Sequence, residues 1–276
     1  MNYRISVVLI ILLFCFVSLP GQETKTDSLL QILQTADGED KIVLYLSLAE
    51  EYSRPDMTVA LKYADSAIEL SIVLQNEDLM ADAYARAGKI YFSNDAFDKS
   101  TEYLLLAKES YLQLGKLREQ VDMNNYLSLV FYYKNDYGKA LDYSRQAIEL
   151  AEELNSEELK AEALSNLGRI YNRMGKGEEA LAVYLEALET WKELGDRNQM
   201  ANTLNGIGSY YSARAEYQSA IEYYERTLEI HEELDNERGR GIVMNNLGNQ
   251  HLQLGNFDEA FGYYQKASEI FREINF

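Results

Sequence analysis

The protein has 276 residues, of which 47% are hydrophobic, and its 26 Lys and Arg against 45 Asp and Glu give a formal net charge of −19. That apolar fraction is enough to bury a core, so the composition predicts a folded chain. The charge argues against nucleic acid and anionic membranes as partners, because both need clustered Lys and Arg. One Cys and two His leave little material for a zinc site, a cysteine nucleophile or a disulfide framework.

Residues 1–22 have the pattern of a secretory signal peptide. Arg4 provides a positive start, 13 mainly apolar residues follow at 5–17, and Ser18, Pro20 and Gly21 resemble a cleavage region. Lipoprotein processing at Cys15 is disfavoured because a small residue should precede the Cys, and Phe14 is bulky. An uncleaved anchor stays open as an alternative. The prediction is an exported, periplasmic protein, attached to the membrane if the segment is retained.

A repeat of 40 residues organises the rest of the chain. Small residues recur at this spacing without insertion in two series, and a third series is rich in glycine. A fixed period of this length predicts stacked supersecondary units. The three series are Ala60, Ser100, Ala140, Ala180, Ala220 and Ala260; Ala67, Ala107, Ala147, Ala187, Thr227 and Ala267; and Leu48, Gly88, Ser128, Gly168, Gly208 and Gly248.

Each unit contains two helical patterns. In the fourth unit, apolar residues have helical spacing over 161–173, a glycine-containing turn follows, and 178–194 predicts a second, longer helix. A polar or glycine turn such as Gly195 ends the unit. Glycine inside a helix costs about 1 kcal/mol relative to alanine. Its recurrence in four of six units therefore predicts a close crossing of the two helices.

These residues resemble the tetratricopeptide repeat family. The matching run is Asn166-Leu167-Gly168 with Tyr171, Gly175, Ala180, Tyr184 and Ala187, and it recurs from Asn246 onwards. The usual proline after the second helix is missing, so the chain looks like the forty-residue variant. The resemblance implies an all-α fold, a right-handed superhelical solenoid of tandem helix-turn-helix repeats. The repeats would be 41–80, 81–120, 121–160, 161–200, 201–240 and 241–276, after a short N-terminal capping helix within 23–40.

The resemblance also implies where a ligand would bind, because in this family the first helix of each repeat lines a concave groove. Asparagine side chains there can bind the backbone of an extended peptide regardless of its sequence. Ordinary polar groove residues are an equally good interpretation. The candidate groove residues are Lys89, Asn125, Tyr132, Arg169, Arg173, Asn205, Asn245 and Asn249.

The distribution of charge favours the groove. The first fourteen residues of the six units carry a combined charge of +3, whereas the remainders of the units carry −19. A near-neutral groove inside an acidic shell predicts a neutral or mildly acidic peptide as the ligand.

Other patterns predict structure better than chemistry. The tyrosine column at 63, 103, 143, 223 and 263 indicates packing between repeats. His231-Glu232-Glu233 lacks the second His of a zinc-protease motif, and Gly175-Lys176-Gly177 lacks the Lys-Ser/Thr of a phosphate loop, so no catalytic residue, metal or cofactor is predicted.

The sequence therefore predicts a non-catalytic, exported scaffold that binds a protein or peptide. The alternative is the sensory ectodomain of a larger signalling protein with a kinase, cyclase or regulator domain. The short leading helix and weak first repeat are similar to the exported repeat regions of bacterial sensor kinases and regulators. An apolar stripe in the last helix predicts self-association or a following domain. Its members are Phe261, Tyr264, Ile270, Phe271 and Ile274.

Overall fold

The computed structural model describes residues 25–53 and 55–274, so the predicted signal segment lies outside the described residues. The described part contains thirteen helices and no strand. A short helix, α1 (Lys25–Leu33), precedes six helix pairs, and the first and second helices of a pair are called the A helix and the B helix. The A helices are α2 (Gly38–Tyr52), α4 (Glu77–Ser93), α6 (Leu117–Tyr133), α8 (Glu157–Arg173), α10 (Arg197–Ala213) and α12 (Glu237–Gln253). The B helices are α3 (Met57–Leu74), α5 (Phe97–Gln113), α7 (Tyr137–Glu153), α9 (Gly177–Leu194), α11 (Tyr217–Glu233) and α13 (Phe257–Glu273).

The predicted fold class, an all-α array of tandem helix-turn-helix repeats, is confirmed. The helix pairs begin three or four residues before the predicted repeat boundaries. The second helix of the fourth repeat is longer by one residue only, because α8 begins before residue 161 and has 17 residues against 18 in α9. The residues added by the forty-residue period instead give the A helix an extra first turn. In α8 this turn begins after Ser156, whose hydroxyl accepts a hydrogen bond from the Leu159 amide.

A left-handed residue ends the helices at a spacing of 20 residues. Asn135, Asn155, Gly175 and Gly195 illustrate the series, with φ values of 60°, 51°, 75° and 71°. The amide of the next residue then bonds back to a carbonyl five residues earlier, as in Ser156 N to Ala151 O at 3.0 Å. This bond satisfies a carbonyl that the helix end leaves free, and it turns the chain into the next helix.

The chain divides into two compact units, with the boundary between Glu119 and Gln120 in the first turn of α6. In the first unit, α1 packs on α2, and α2 to α5 pack on one another in order. Leu29 of α1 covers Leu44 and Leu48 of α2.

In the second unit, each helix from α7 to α13 packs against the next, and α8 also contacts α10. Alanines and large side chains alternate in its buried core, as in the cluster of Ala180, Tyr184, Leu188, Leu204 and Ile207. The repeated small residues of the sequence are therefore the points where neighbouring helices approach. Within residues 25–53 and 55–274, no helix is long and apolar enough to cross a bilayer.

Candidate functional site

The polar residues on the A helices of the second unit form the candidate site. Arg169, Ser209 and Asn249 hold one register position on α8, α10 and α12, and Asn205 and Asn245 lie one turn earlier on α10 and α12. A repeat of 40 residues places such positions on the same side of successive helices. This surface, defined by these five residues together with Arg173 and Tyr132, is called the A face.

Tyrosines of the B helices reach the A face across glycines of the A helices. A Cβ atom built on Gly168, Gly208 or Gly248 would lie 2.7 Å from the ring of a B-helix tyrosine. The rings therefore occupy the space that a side chain would need, which agrees with the predicted close crossing. The three pairs are Gly168 with Tyr184, Gly208 with Tyr224, and Gly248 with Tyr264.

The hydroxyl groups of these tyrosines meet the residue that follows each glycine. Tyr264 donates to Asn249 Oδ1 at 2.7 Å, and Tyr224 forms a hydrogen bond with Ser209. Burial raises the pKa of Tyr224 to about 12, and the bond to Ser209 opposes that shift. In the third pair, the residue after the glycine is Arg169, which has no acceptor atom.

Arg169 and Arg173 lie one turn apart on α8. Burial raises the pKa of Tyr132 of α6, whereas the positive charges of Arg173 and Arg169 lower it. Burial also raises the pKa of Tyr184, and Arg169 opposes that shift. Arg169 is half-buried and Arg173 is exposed. Neither arginine has an acidic partner among the described residues.

Three predicted asparagines of the second unit are accessible. Asn205 is half-buried, and Asn245 and Asn249 are exposed. Asn246 Nδ2 donates to Asn205 Oδ1 at 3.0 Å, which joins the A helices of the fifth and sixth repeats. The side-chain oxygens of Asn205 and Asn249 thus accept bonds from Asn246 and Tyr264, and their NH₂ groups remain as donors.

Two predicted residues lie elsewhere. Asn125 is 1% exposed, and its amide nitrogen and oxygen have no hydrogen-bond partner among the described residues, so it is not accessible as a groove residue. Asn125 lies on α6 close to Asn124 and Leu127, which are both fully buried. Lys89 is half-buried on α4 and belongs to the first unit.

Charge separates the two kinds of helix in the second unit. The A helices α8, α10 and α12 contain six basic and four acidic residues, whereas the B helices α9, α11 and α13 contain four basic and fourteen acidic residues. The A face therefore belongs to the basic side of an acidic unit.

The tyrosine column found in the sequence packs against core clusters that span neighbouring repeats, and its rings also stack within each repeat. Tyr143 stacks on Phe131, Tyr223 on Tyr211 and Tyr263 on His251, with ring centroids 5.5, 5.3 and 5.3 Å apart. Each pair joins the B helix of a repeat to its own A helix. The column is a structural feature, and it also accounts for His251.

Two cavities open in the last two repeats of the second unit. One of about 230 Å³ lies between α10, α11 and α12 and is lined by Asn205 and the buried His231. The other, of about 420 Å³, is lined by Asn245, Tyr264 and Phe271. In the predicted terminal stripe, Phe261 is 69% exposed, but Ile270 is buried in the α12–α13 core.

Sequence reasoning missed the second set of tyrosines, Tyr184, Tyr224 and Tyr264, as parts of the site. Their spacing of 16 residues from Gly168, Gly208 and Gly248 was the available signal. Ser209, which is not among the predicted groove residues, is a further residue of the site through its contact with Tyr224.

Comparison with known proteins decides the family. Tetratricopeptide repeat models match residues 159–233 and residues 242–274. The chain is a tetratricopeptide repeat protein. No curated protein sequence matches it.

Several solved structures share this fold. A Rap protein complexed with Competence and Sporulation Factor is 16% identical with a TM-score of 0.69, over 91% of this chain and 81% of that chain. BtubC (BKLC) from P. vanneervenii is 19% identical with a TM-score of 0.61, over 85% of this chain and 92% of that one. A Signal Transduction ATPase with Numerous Domains from Pyrococcus horikoshii, which carries a tetratricopeptide repeat sensor, is 18% identical with a TM-score of 0.63, over 91% of this chain and 40% of that one.

Proposed function

We propose that the chain is a non-catalytic scaffold whose A face binds a protein, through an extended segment of that protein. The observation that carries the proposal is the set of accessible donors on α8, α10 and α12. Among the described residues, Arg169 and Arg173 have no acidic partner, and the NH₂ groups of Asn205 and Asn249 donate to no other residue. The oxygens of these two asparagines already accept bonds, so a ligand would meet their donors.

Such a surface suits the carbonyl groups of an extended peptide. A peptide backbone presents acceptors at regular intervals, and amide donors bind them whatever the side chains are. The basic balance of α8, α10 and α12 favours a neutral or acidic segment over a basic one. The shared fold of the Rap protein complexed with Competence and Sporulation Factor supports a binding role for an array of this kind.

The proposal predicts that binding depends on the A face. A peptide is first selected against the chain from a random display library. The triple variant Asn205→Ala, Asn245→Ala and Asn249→Ala should then bind it on the order of 100-fold more weakly, since each lost hydrogen bond contributes about 1 kcal/mol. Isothermal titration calorimetry measures the change.

A matched control places three alanines on the B helices. Glu189, Glu225 and Gln265 are exposed on α9, α11 and α13, and their replacement should leave the affinity within about twofold. A peptide whose affinity falls with this control and not with the A-face variant would contradict the proposal.

A second candidate function is the sensory part of a larger signalling protein. It is supported by the similarity to the ATPase from Pyrococcus horikoshii. The matched region spans 91% of this chain but 40% of that protein. The discriminating observation is the coding sequence beyond residue 276, where this function requires a further domain.

Export is also a proposal, and its support is the sequence of residues 1–22. Expression of the whole coding sequence in a bacterium with a periplasm, followed by N-terminal sequencing of the periplasmic fraction, tests it. A chain that stays in the cytoplasm and begins at residue 1 or 2 would contradict export.

A further inference from the structure

One side of the last helix, α13, carries large apolar side chains that are exposed. Phe257 and Phe261 are 68% and 69% exposed. At the equivalent positions of α11, one repeat earlier, Tyr217 is half-buried and Ile221 is buried, because α12 packs on that helix. The exposed side of α13 therefore corresponds to the side of a B helix that the A helix of the next repeat covers.

Five residues of α13 form this side, which is called the α13 face. They follow one another in steps of four and three residues, so they lie along a single stripe of the helix. The members are Phe257, Phe261, Tyr264, Ser268 and Phe271. A cavity of about 420 Å³ opens on this face and is lined in part by Tyr264, Ser268 and Phe271. The face therefore has projecting phenylalanines near the start of α13 and a recess near its end.

The earlier B helices of the second unit differ from α13 at two positions of this face. Each has leucine or isoleucine at both positions, whereas α13 has the larger Phe261 at the first and the smaller Ser268 at the second. The residues compared are Leu141 and Ile148 in α7, Leu181 and Leu188 in α9, and Ile221 and Leu228 in α11. A following repeat would meet a projection and a recess in place of the even surface that its predecessors meet. A second copy of α13, lying antiparallel, instead sets the projection of each copy against the recess of the other.

The charges beside the face fit the same antiparallel arrangement. Asp258 and Arg272 are exposed near the two ends of α13, and neither forms an ion pair with another described residue. Gln265 lies midway between them and is uncharged and exposed. Two antiparallel copies bring Asp258 of each beside Arg272 of the other, whereas parallel copies would set like charges together. Charge and volume therefore select the same partner and the same orientation.

We propose that two copies of the chain associate through their α13 faces, antiparallel about a two-fold axis near Gln265. Phe261 of each copy enters the cavity beside Ser268 of the other, and two ion pairs between Asp258 and Arg272 flank the contact. The inference does not rest on the proposed function, because α13 is a B helix and the donors proposed to bind a peptide lie on A helices.

Sedimentation velocity of the full chain, in about 0.15 M salt, measures the association. A contact of one helix per copy is smaller than the standard interface of about 1,600 Å², so the Kd should be on the order of 10 µM. Phe261→Ser should raise the Kd more than about tenfold, because it removes the side chain that fills the cavity. Leu185→Ser, which removes another exposed apolar side chain from α9, is the matched control and should leave the Kd unchanged.

Two results of this experiment would overturn the proposal. One is a chain that remains monomeric at about 200 µM, well above the expected Kd. The α13 face would then belong to a following helix or to a different protein. The other is a dimer that Phe261→Ser and Leu185→Ser weaken equally.

Exchange of charges tests the antiparallel orientation. Asp258→Arg and Arg272→Asp each place like charges at both ends of the contact, so each variant alone should associate on the order of tenfold more weakly. An equimolar mixture of the two variants should recover the original affinity, because each basic end then faces an acidic end. Circular dichroism of each variant checks that its helices are intact. A mixture that associates no better than its separate components would reject the antiparallel contact.

Cross-linking locates the two-fold axis. In a Cys15→Ser background, Gln265→Cys should give a covalent dimer with a short bismaleimide reagent, because the two copies of this position meet near the axis. Glu225→Cys, at the equivalent exposed position of α11, is the matched control and should give little dimer. Equal cross-linking of the two variants would contradict an axis near Gln265.

Discussion

At the scale of single residues, the crossing of the A and B helices sets how large each side chain can be. Where the A helix has glycine, the B helix has a large residue, and where the A helix has leucine or serine, the B helix has a small one. Ser128 and Ser144 even share a hydrogen bond of 3.2 Å. The six pairs are Leu48 with Ala64, Gly88 with Leu104, Ser128 with Ser144, Gly168 with Tyr184, Gly208 with Tyr224, and Gly248 with Tyr264.

This exchange of volume predicts the effect of Gly168→Ala. The new Cβ would lie 2.7 Å from the Tyr184 ring, and overpacking of this kind costs about 1–3 kcal/mol, which exceeds the gain of about 1 kcal/mol in helix propensity. The free energy of unfolding in urea should fall. Gly262→Ala in α13 is the control, because nothing lies within 4 Å of its new Cβ, and it should stabilise the chain. A Gly168→Ala chain as stable as the original would contradict the close crossing.

At the scale of helices, one interface depends on an uncharged histidine. His231 of α11 is 7% exposed and packs on Gly239 of α12, where a built Cβ would lie 2.6 Å from the ring. Burial lowers the pKa of His231. Asn236, which caps α12, forms a hydrogen bond with its Nδ1 atom. The α11–α12 interface therefore favours the neutral imidazole.

The sign of the resulting pH dependence follows from this shift. The unfolded chain takes up a proton near pH 6.5, whereas the folded chain resists it to lower pH, so stability falls as the pH drops below about 6.5. His231→Phe, which copies Phe271 at the equivalent position, should lose less stability than the original chain between about pH 8 and about pH 5. Urea titrations at both pH values measure it, with His251→Gln as the control. Equal losses in the original and His231→Phe chains would refute the prediction.

The sequence predicted the helices well because their signals are local. Periodic alanines, turn residues such as Gly195 and the crossing glycines each act within one repeat. The A-helix starts were placed late because Glu157 and its neighbours are polar first-turn residues, which resemble a loop. The burial of Asn125 could not be foreseen, because its register matches the accessible Asn205 and only packing separates the two environments. The site tyrosines were missed because the sequence does not show that each ring crosses a glycine of the A helix and places its hydroxyl at the A face.

At the scale of the whole molecule, the net charge of −19 is unevenly distributed. Most of the acidic excess of the second unit lies on its B helices, and the A helices α8, α10 and α12 carry a small basic excess. Placing charge away from the A face keeps the chain soluble without repelling an acidic segment. The proposed function therefore locates ligand binding on the A helices and not on the B helices.

Photo-crosslinking measures that location most directly. A p-benzoylphenylalanine at the exposed Asn202 of α10, on the stripe that contains Asn205 and Ser209, should crosslink to a display-selected peptide. The same group at the exposed Glu225 of α11 should give little product. Unlabelled peptide should suppress the crosslink from residue 202. Efficient crosslinking from residue 225 with none from residue 202 would contradict the account.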